Sequence, residues 1–158
     1  MAAEVINVSS GSEDWRAHTL SNFPCFPFEL DGMTFSSVEG FIQGIKFPEE
    51  DSRRQQAFAL WGKHAKQIGT EAKREYVWWN GQQFVYGEND HRALIRRAIV
   101  AKFYYNEGAR LALMATGDAE LIHDVGPESP HTSLTAAYFC EILRAIRWRL
   151  NKKPLDRP

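Results

Sequence analysis

The amino-acid sequence predicts an α+β fold, predominantly α-helical, in a single domain of 158 residues with a small β-hairpin. Three observations carry that expectation. Apolar residues recur at helical spacing in several separate stretches. The dipeptides Asp31-Gly32 and Asn80-Gly81 each adjoin short apolar runs, where tight hairpin turns favour them. At this length, 44% apolar and 13% aromatic residues suffice for a buried core and exclude a disordered chain.

Taken in order, the first fifteen residues are polar and read as mobile, and residues 1–14 and 152–158 are expected to be tails outside the folded body. Phe26 to Phe35, around Asp31-Gly32, reads as the hairpin. A helix opens at Ser36 and runs to the break at Pro48. A second covers Glu49 to Ile68 and stops at Gly69, with Ala57, Trp61 and Ala65 on one line; a third, short one spans Thr70 to Val77. After Asn80-Gly81, Gln83 to Tyr86 is strand-like. Asn89 or Asp90 caps the longest helix, which Gly108 interrupts before it resumes to Thr116-Gly117. A Gly/Pro loop from Val125 to Pro130 leads to a last helix through Leu134, Tyr138, Ile142 and Ile146.

Composition narrows the function classes. A net charge of -1 argues against the broad basic face of a protein that coats nucleic acid. The apolar runs are too short to cross a bilayer, so no membrane partner is expected. Met1 to Glu13 lacks a basic stretch followed by an apolar one, so a cytoplasmic location is expected, with Cys25 and Cys140 as free thiols. The five histidines form neither an HExxH nor a paired-cysteine spacing, and neither a metal nor an organic cofactor is expected.

The chemistry-bearing run is Ser36 to Phe47. Helical spacing puts Glu39, Gln43 and Lys46 on one stripe, so that a carboxylate, an amide and an ammonium line one wall. A local alternative is structural: Ser36 and Glu39 are spaced as a capping box, in which the glutamate only bonds the helix end. Near a helix N-terminus the dipole favours an ionised carboxylate. Gly40 and Gly44, one turn apart, imply a close-packed neighbour, since glycine costs about 1 kcal/mol of helix propensity.

Four segments in this order and spacing resemble the NADAR family, also called YbiA-like: Leu20 to Phe23; Leu30-Asp31-Gly32 with Ser37 to Phe47; Arg96 to Phe103; and Leu113 to Gly117 leading to Glu120 to His123. The resemblance covers most of the chain. It implies a mostly helical fold and an N-glycosidase that cuts a ribose C1′–N bond. Relatives are associated with phosphoribosylated intermediates of riboflavin synthesis or with ADP-ribose on guanine, so the expected partner is a nucleotide-type small molecule or an ADP-ribosylated guanine, free or within nucleic acid. The family's catalytic glutamate falls at Glu39. Two departures stand out. Gly40 replaces the His or Asn that follows the glutamate in relatives, and residues 123–133 replace a Trp-Gly-Asp-Gly type loop, leaving Asp124 and Glu128 as the nearby acids that could stand in.

Glycosidic cleavage passes through an oxocarbenium-like sugar, so a carboxylate beside C1′ either stabilises the charge or deprotonates water. That is the role expected of Glu39. The leaving base then takes its proton from elsewhere, with Asp124 or His131 as candidates. Gln43 suits ribose hydroxyls and Lys46 a phosphate; Asn22 suits ribose or phosphate and Phe23 one wall of a base slot. Trp78, Trp79 and Tyr86 compete as the stacking platform, and at least one is ordinary core. Arg97, with Arg96 and Lys102 on the polar side of the long helix, could fork onto a phosphate, although salt bridges to Glu88 and Asp90 explain these charges equally well. A binding module for ADP-ribose without catalysis is the alternative.

Overall fold

Both dipeptide turns form. In the computed structural model, which describes residues 2–130 and 132–158, Asp31 and Gly32 take φ of 50° and 79°, and Asn80 and Gly81 take 48° and 73°. Positive φ at both central residues is what a two-residue turn matched to strand twist requires, and Asp, Asn and Gly tolerate it. The first turn joins β2 (Phe28–Leu30) to β3 (Met33–Phe35), with Leu30 opposite Met33; the second joins β4 (Tyr76–Trp79) to β5 (Gln82–Val85), with Trp79 opposite Gln82. Of the two, the second was not expected to have a strand on its N-terminal side. Residues 70–75 form a turn, and β4 replaces the short helix anticipated there. The alternation of Val77 and Trp79 inward with Tyr76 and Trp78 outward overrides the local helical pattern.

The N-terminus departs from expectation too. β1 (Val5–Asn7) pairs in parallel with β6 (Glu120–Ile122), and Ile6 and Val8 are buried, so this segment is part of the folded body. At the other end, Leu155 packs against the core and Arg149 pairs with Asp156. The helices are α1 (Trp15–Leu20), α2 (Val38–Gly44), α3 (Ser52–Phe58), α4 (Gly62–Gly69), α5 (Asn89–Tyr105), α6 (Glu107–Met114) and α7 (Ala136–Leu150). None among the described residues is long and apolar enough to cross a membrane.

The single helix expected over 49–68 is two. It breaks before Gly62, whose φ of 59° turns the chain and whose N–H donates to Phe23 O at 2.8 Å, so that α3 and α4 can both lie on α2. How close they lie explains the two helix glycines. A Cβ at Gly40 would sit 2.4 Å from Ala57 O, and one at Gly44 would sit 2.3 Å from the Phe58 ring. The long helix ends at Asn106, whose amide donates to Pro27 O and Lys102 O at 2.8 Å, and Gly108 lies within α6. Its N-cap position is Glu88 rather than Asn89 or Asp90.

The core gathers Phe28, Phe35, Phe41, Phe58 and Trp79, with ring centroids 4.7–6.4 Å apart for the packed pairs. Each such side chain, fully buried, contributes about 1.5–3 kcal/mol. Lys102 is not on a polar face. It is 1% exposed and donates to Thr19 O and Ser21 O at 2.6 and 2.7 Å, and burial pushes its ammonium down to about 7. The lysine thereby pins the loop that carries Asn22 and Phe23 against the body of the fold.

Candidate active site

The site is built on the first turn of α2. Ser37, not Ser36, caps the helix: its Oγ accepts from Gly40 N at 2.9 Å and donates to Leu60 O at 2.8 Å, while Ser36 N–H goes to Phe58 O. The shift of one residue takes Glu39 out of the capping-box position. Its own N–H donates to Asn22 O at 3.0 Å, and its side chain serves something else. Gln43 Nε2 donates to Glu39 Oε1 at 2.7 Å, and Lys46 Nζ donates to Gln43 Oε1 at 2.8 Å. The stripe read from the sequence is therefore a hydrogen-bonded chain, with its three residues 7–8% exposed.

This chain forms the floor of a cleft of about 460 Å³. Around it lie Ser9, Ser10 and the Ser21–Phe23 loop; Lys66, which stands over the Phe23 ring, with Arg74 and Tyr86; and His123, Glu128, Thr132, Ser133 and Phe139. Two segments far apart in sequence meet here because β1 lies beside β6. His123 Nδ1 donates to Val8 O at 2.7 Å, which leaves Nε2 as the acceptor of the neutral ring.

Electrostatics follow from burial. Desolvation pushes the Glu39 carboxyl above its usual range, against the opposing pull of the Gln43 hydrogen bond and of Lys46 and Lys66. The dipole argument from sequence gives the opposite sign and loses, since α2 has only seven residues and its carboxylate is nearly dry. Lys46 is pushed down to about 8, by burial first and then by Arg74, with Glu39 pulling the other way. A short cationic arc of Lys46, Lys66 and Arg74 thus borders one acid.

Of the residues expected in the site, Glu39, Gln43, Lys46, Asn22, Phe23 and Tyr86 line the cleft. Asn22 Oδ1 is buried without a hydrogen-bond partner among the described residues, so this wall retains an unused acceptor. The Tyr86 ring stands 5.9 Å from Lys46 Nζ and 4.7 Å from the buried His91 ring, which faces the cleft only through it. Four residues fall elsewhere. Trp79 is core, 3% exposed, with its indole N–H on Asp31 at 2.8 Å. Trp78 borders a separate hollow beside Phe47 and Tyr76. Arg97 forks onto Asp31 at 2.7 and 3.0 Å, rather than onto Glu88 or Asp90, and lies outside the cleft. Asp124 is exposed and accepts from Gly126 N, also outside it. His131 lies outside the described residues. Lys66 and Arg74 escaped the sequence reading: the first sits on a helix read only for its apolar face, the second in a turn mistaken for a helix. Among the described residues no three His, Cys, Asp or Glu side chains gather as a metal ligand set.

This mainly helical α+β fold is that of the YbiA/NADAR-like class. The solved NMR structure of YbiA from Escherichia coli superposes with a TM-score of 0.66 at 22% identity, covering 96% of this chain and 87% of that one. Residues 14–148 match the family described as Bacteriophage protein GP30.3, and the chain belongs to that family. It is 32% identical over 139 residues to the uncharacterized 17.1 kDa protein of the Gp30-rIII intergenic region of Enterobacteria phage T4, across 84% of this chain and 91% of that protein. N-glycosidase YbiA of Escherichia coli is 27% identical over 124 residues, across 77% of this chain and 71% of the enzyme. The relatives thus include N-glycosidases.

Proposed function

We propose that this protein is an N-glycosidase that hydrolyses the ribose C1′–N bond of an ADP-ribosylated nucleobase, free or within nucleic acid, or of a phosphoribosyl-type nucleotide. The observation that carries the reading is Glu39, 8% exposed at the floor of a 460 Å³ cleft, wired through Gln43 to Lys46 and doing no work at its helix end. Its carboxylate stabilises the oxocarbenium-like sugar and takes a proton from the attacking water; the water oxygen bonds C1′ as the C1′–N bond breaks, and the departing base nitrogen ends with the proton. Because burial raises the Glu39 carboxyl, the group is also suited to return that proton within one turnover. Lys66, Arg74 and Lys46 supply cationic contacts for phosphate, and Tyr86 supplies an aromatic face for a base.

A second reading, an ADP-ribose or nucleotide-binding module without turnover, draws on the other acids. Asp124 stands outside the cleft, and Glu128, which lines it, accepts from Ala136 N at 2.9 Å through Oε1. Incubation of the wild-type protein with ADP-ribosylated guanosine and with a ribosylaminopyrimidine phosphate, followed by chromatography of the released base, decides between them. Base release supports the hydrolase. Saturable binding without any release supports the module.

A further inference from the structure

Gly69, the last residue of α4, is remote from Glu39 in sequence but touches the centre of the site. A Cβ added there would lie 1.7 Å from Gln43 Oε1 and 2.4 Å from Gln43 Cδ, and the three nearest atoms all belong to Gln43. That amide is the one that bridges Glu39 and Lys46. Its plane rests on the bare backbone of α4.

Two comparisons isolate what this glycine does. Unlike Gly62, Gly69 has no positive φ, so its backbone conformation does not call for glycine. Unlike Gly40, where an added Cβ would meet the backbone oxygens of Ala57 and Leu60, the obstacles at Gly69 all belong to one side chain: the movable amide of Gln43, and behind it the Gln43 Cβ at 3.0 Å. A methyl group there turns the amide away, and the remaining 3.0 Å contact with the Gln43 Cβ calls for a backbone adjustment of only a few tenths of an ångström.

We propose that Gly69 is a positioning residue of the cleft: the absence of a side chain at this point of α4 holds the Gln43 amide between Glu39 and Lys46, and any larger residue breaks the bridge. The inference rests on Glu39 being the reacting carboxylate of the proposed hydrolysis. The charged and titratable groups around Glu39 are Lys46 beyond the end of α2, Lys66 on α4, Arg74 in the following turn, and Tyr86, His123 and Glu128 on the cleft walls. None of them donates a hydrogen bond to its carboxylate among the described residues; Gln43 does.

The test compares Gly69→Ala, Gln43→Ala and the double variant by 13C NMR titration of the Glu39 side-chain carboxyl and by thermal melting. Loss of the one hydrogen bond that favours the charged form raises the Glu39 midpoint by about one pH unit in each single variant. In the double variant the shift is no larger than in Gln43→Ala, and Gly69→Ala lowers the melting temperature less than it does in the wild type, because the amide is gone and only the close contact with the Cβ at position 43 remains. A Glu39 midpoint unmoved by Gly69→Ala, or shifts that add in the double variant, overturns the proposal. If Gly69→Ala does not fold alone, a double variant that folds supports the assignment, and one that stays unfolded refutes it. The titration needs no turnover, so a negative substrate panel is a separate result.

Discussion

Glu39→Gln separates chemistry from architecture, because it keeps shape and removes charge. The amide at position 39 retains an oxygen to accept from Gln43 Nε2, which stands 2.7 Å from Oε1, so the cleft floor should persist. What is lost is the attraction between a carboxylate and a positive sugar. At about 4 Å and an effective dielectric of about 20 this is about 4 kcal/mol, or about a thousandfold in rate. The expected result in a base-release assay is a loss of that order in kcat with binding retained. The same substitution makes a stability statement of opposite sign. The Glu39 carboxyl is raised in the folded state, so the folded protein holds more protons than the unfolded chain above the ordinary glutamate value, and wild-type stability falls as pH rises through the folded value. The variant lacks that decline. In urea melts it should be more stable than wild type at pH 8, with the difference shrinking by pH 4. Full activity in Glu39→Gln, or a variant less stable at pH 8 than at pH 4 relative to wild type, would refute the reasoning.

Tyr86→Ala should raise KM by about ten- to a hundredfold, the worth of one stacked base, while Trp78→Ala leaves KM within about twofold; steady-state kinetics distinguishes them. Asp31→Asn removes the charge that Arg97 forks onto, and the Arg97 side chain is 41% exposed, so screening limits the loss to about 1 kcal/mol at pH 7. Arg97 holds the Asp31 carboxyl down to about 2, with help from Trp79 and Asn80, so the contribution is present above pH 4 and vanishes as pH falls through 2; chemical denaturation at pH 7 and at pH 2 checks the sign. Gly44→Ala should cost about 1–3 kcal/mol in urea melts, since its methyl would enter the Phe58 ring, and a neutral outcome would contradict the close packing of α2 on α3.

Much of the framework was legible where local chemistry decides it. Asp31-Gly32 and Asn80-Gly81 are turns whose backbone demands those residues, and Gly40 and Gly44 announced a helix pressed against α2. Helical spacing put Glu39 and Gln43 on one stripe, and Lys46, past the end of α2, still reaches the Gln43 amide as that spacing foresaw. What failed depends on contacts distant in sequence. β1 is three residues long and has no pattern of its own until β6 lies beside it. The capping serine slipped by one position because Ser36 and Ser37 are locally equivalent, and only α3, whose Phe58 carbonyl takes the Ser36 N–H, separates them. Arg97 and Lys102 share a helix, yet one meets Asp31 and the other two buried carbonyls, a difference the helix itself does not encode.

The parallel pairing of Val5 with Glu120 also has a consequence for biosynthesis. Ser9 and Ser10 can share a cleft with His123 and Thr132 only after the chain through residue 132 has left the ribosome, and closing so long a loop is entropically slow. The emerging chain therefore carries its glutamate in an unfinished hollow until β6 and the segment that follows it dock against β1.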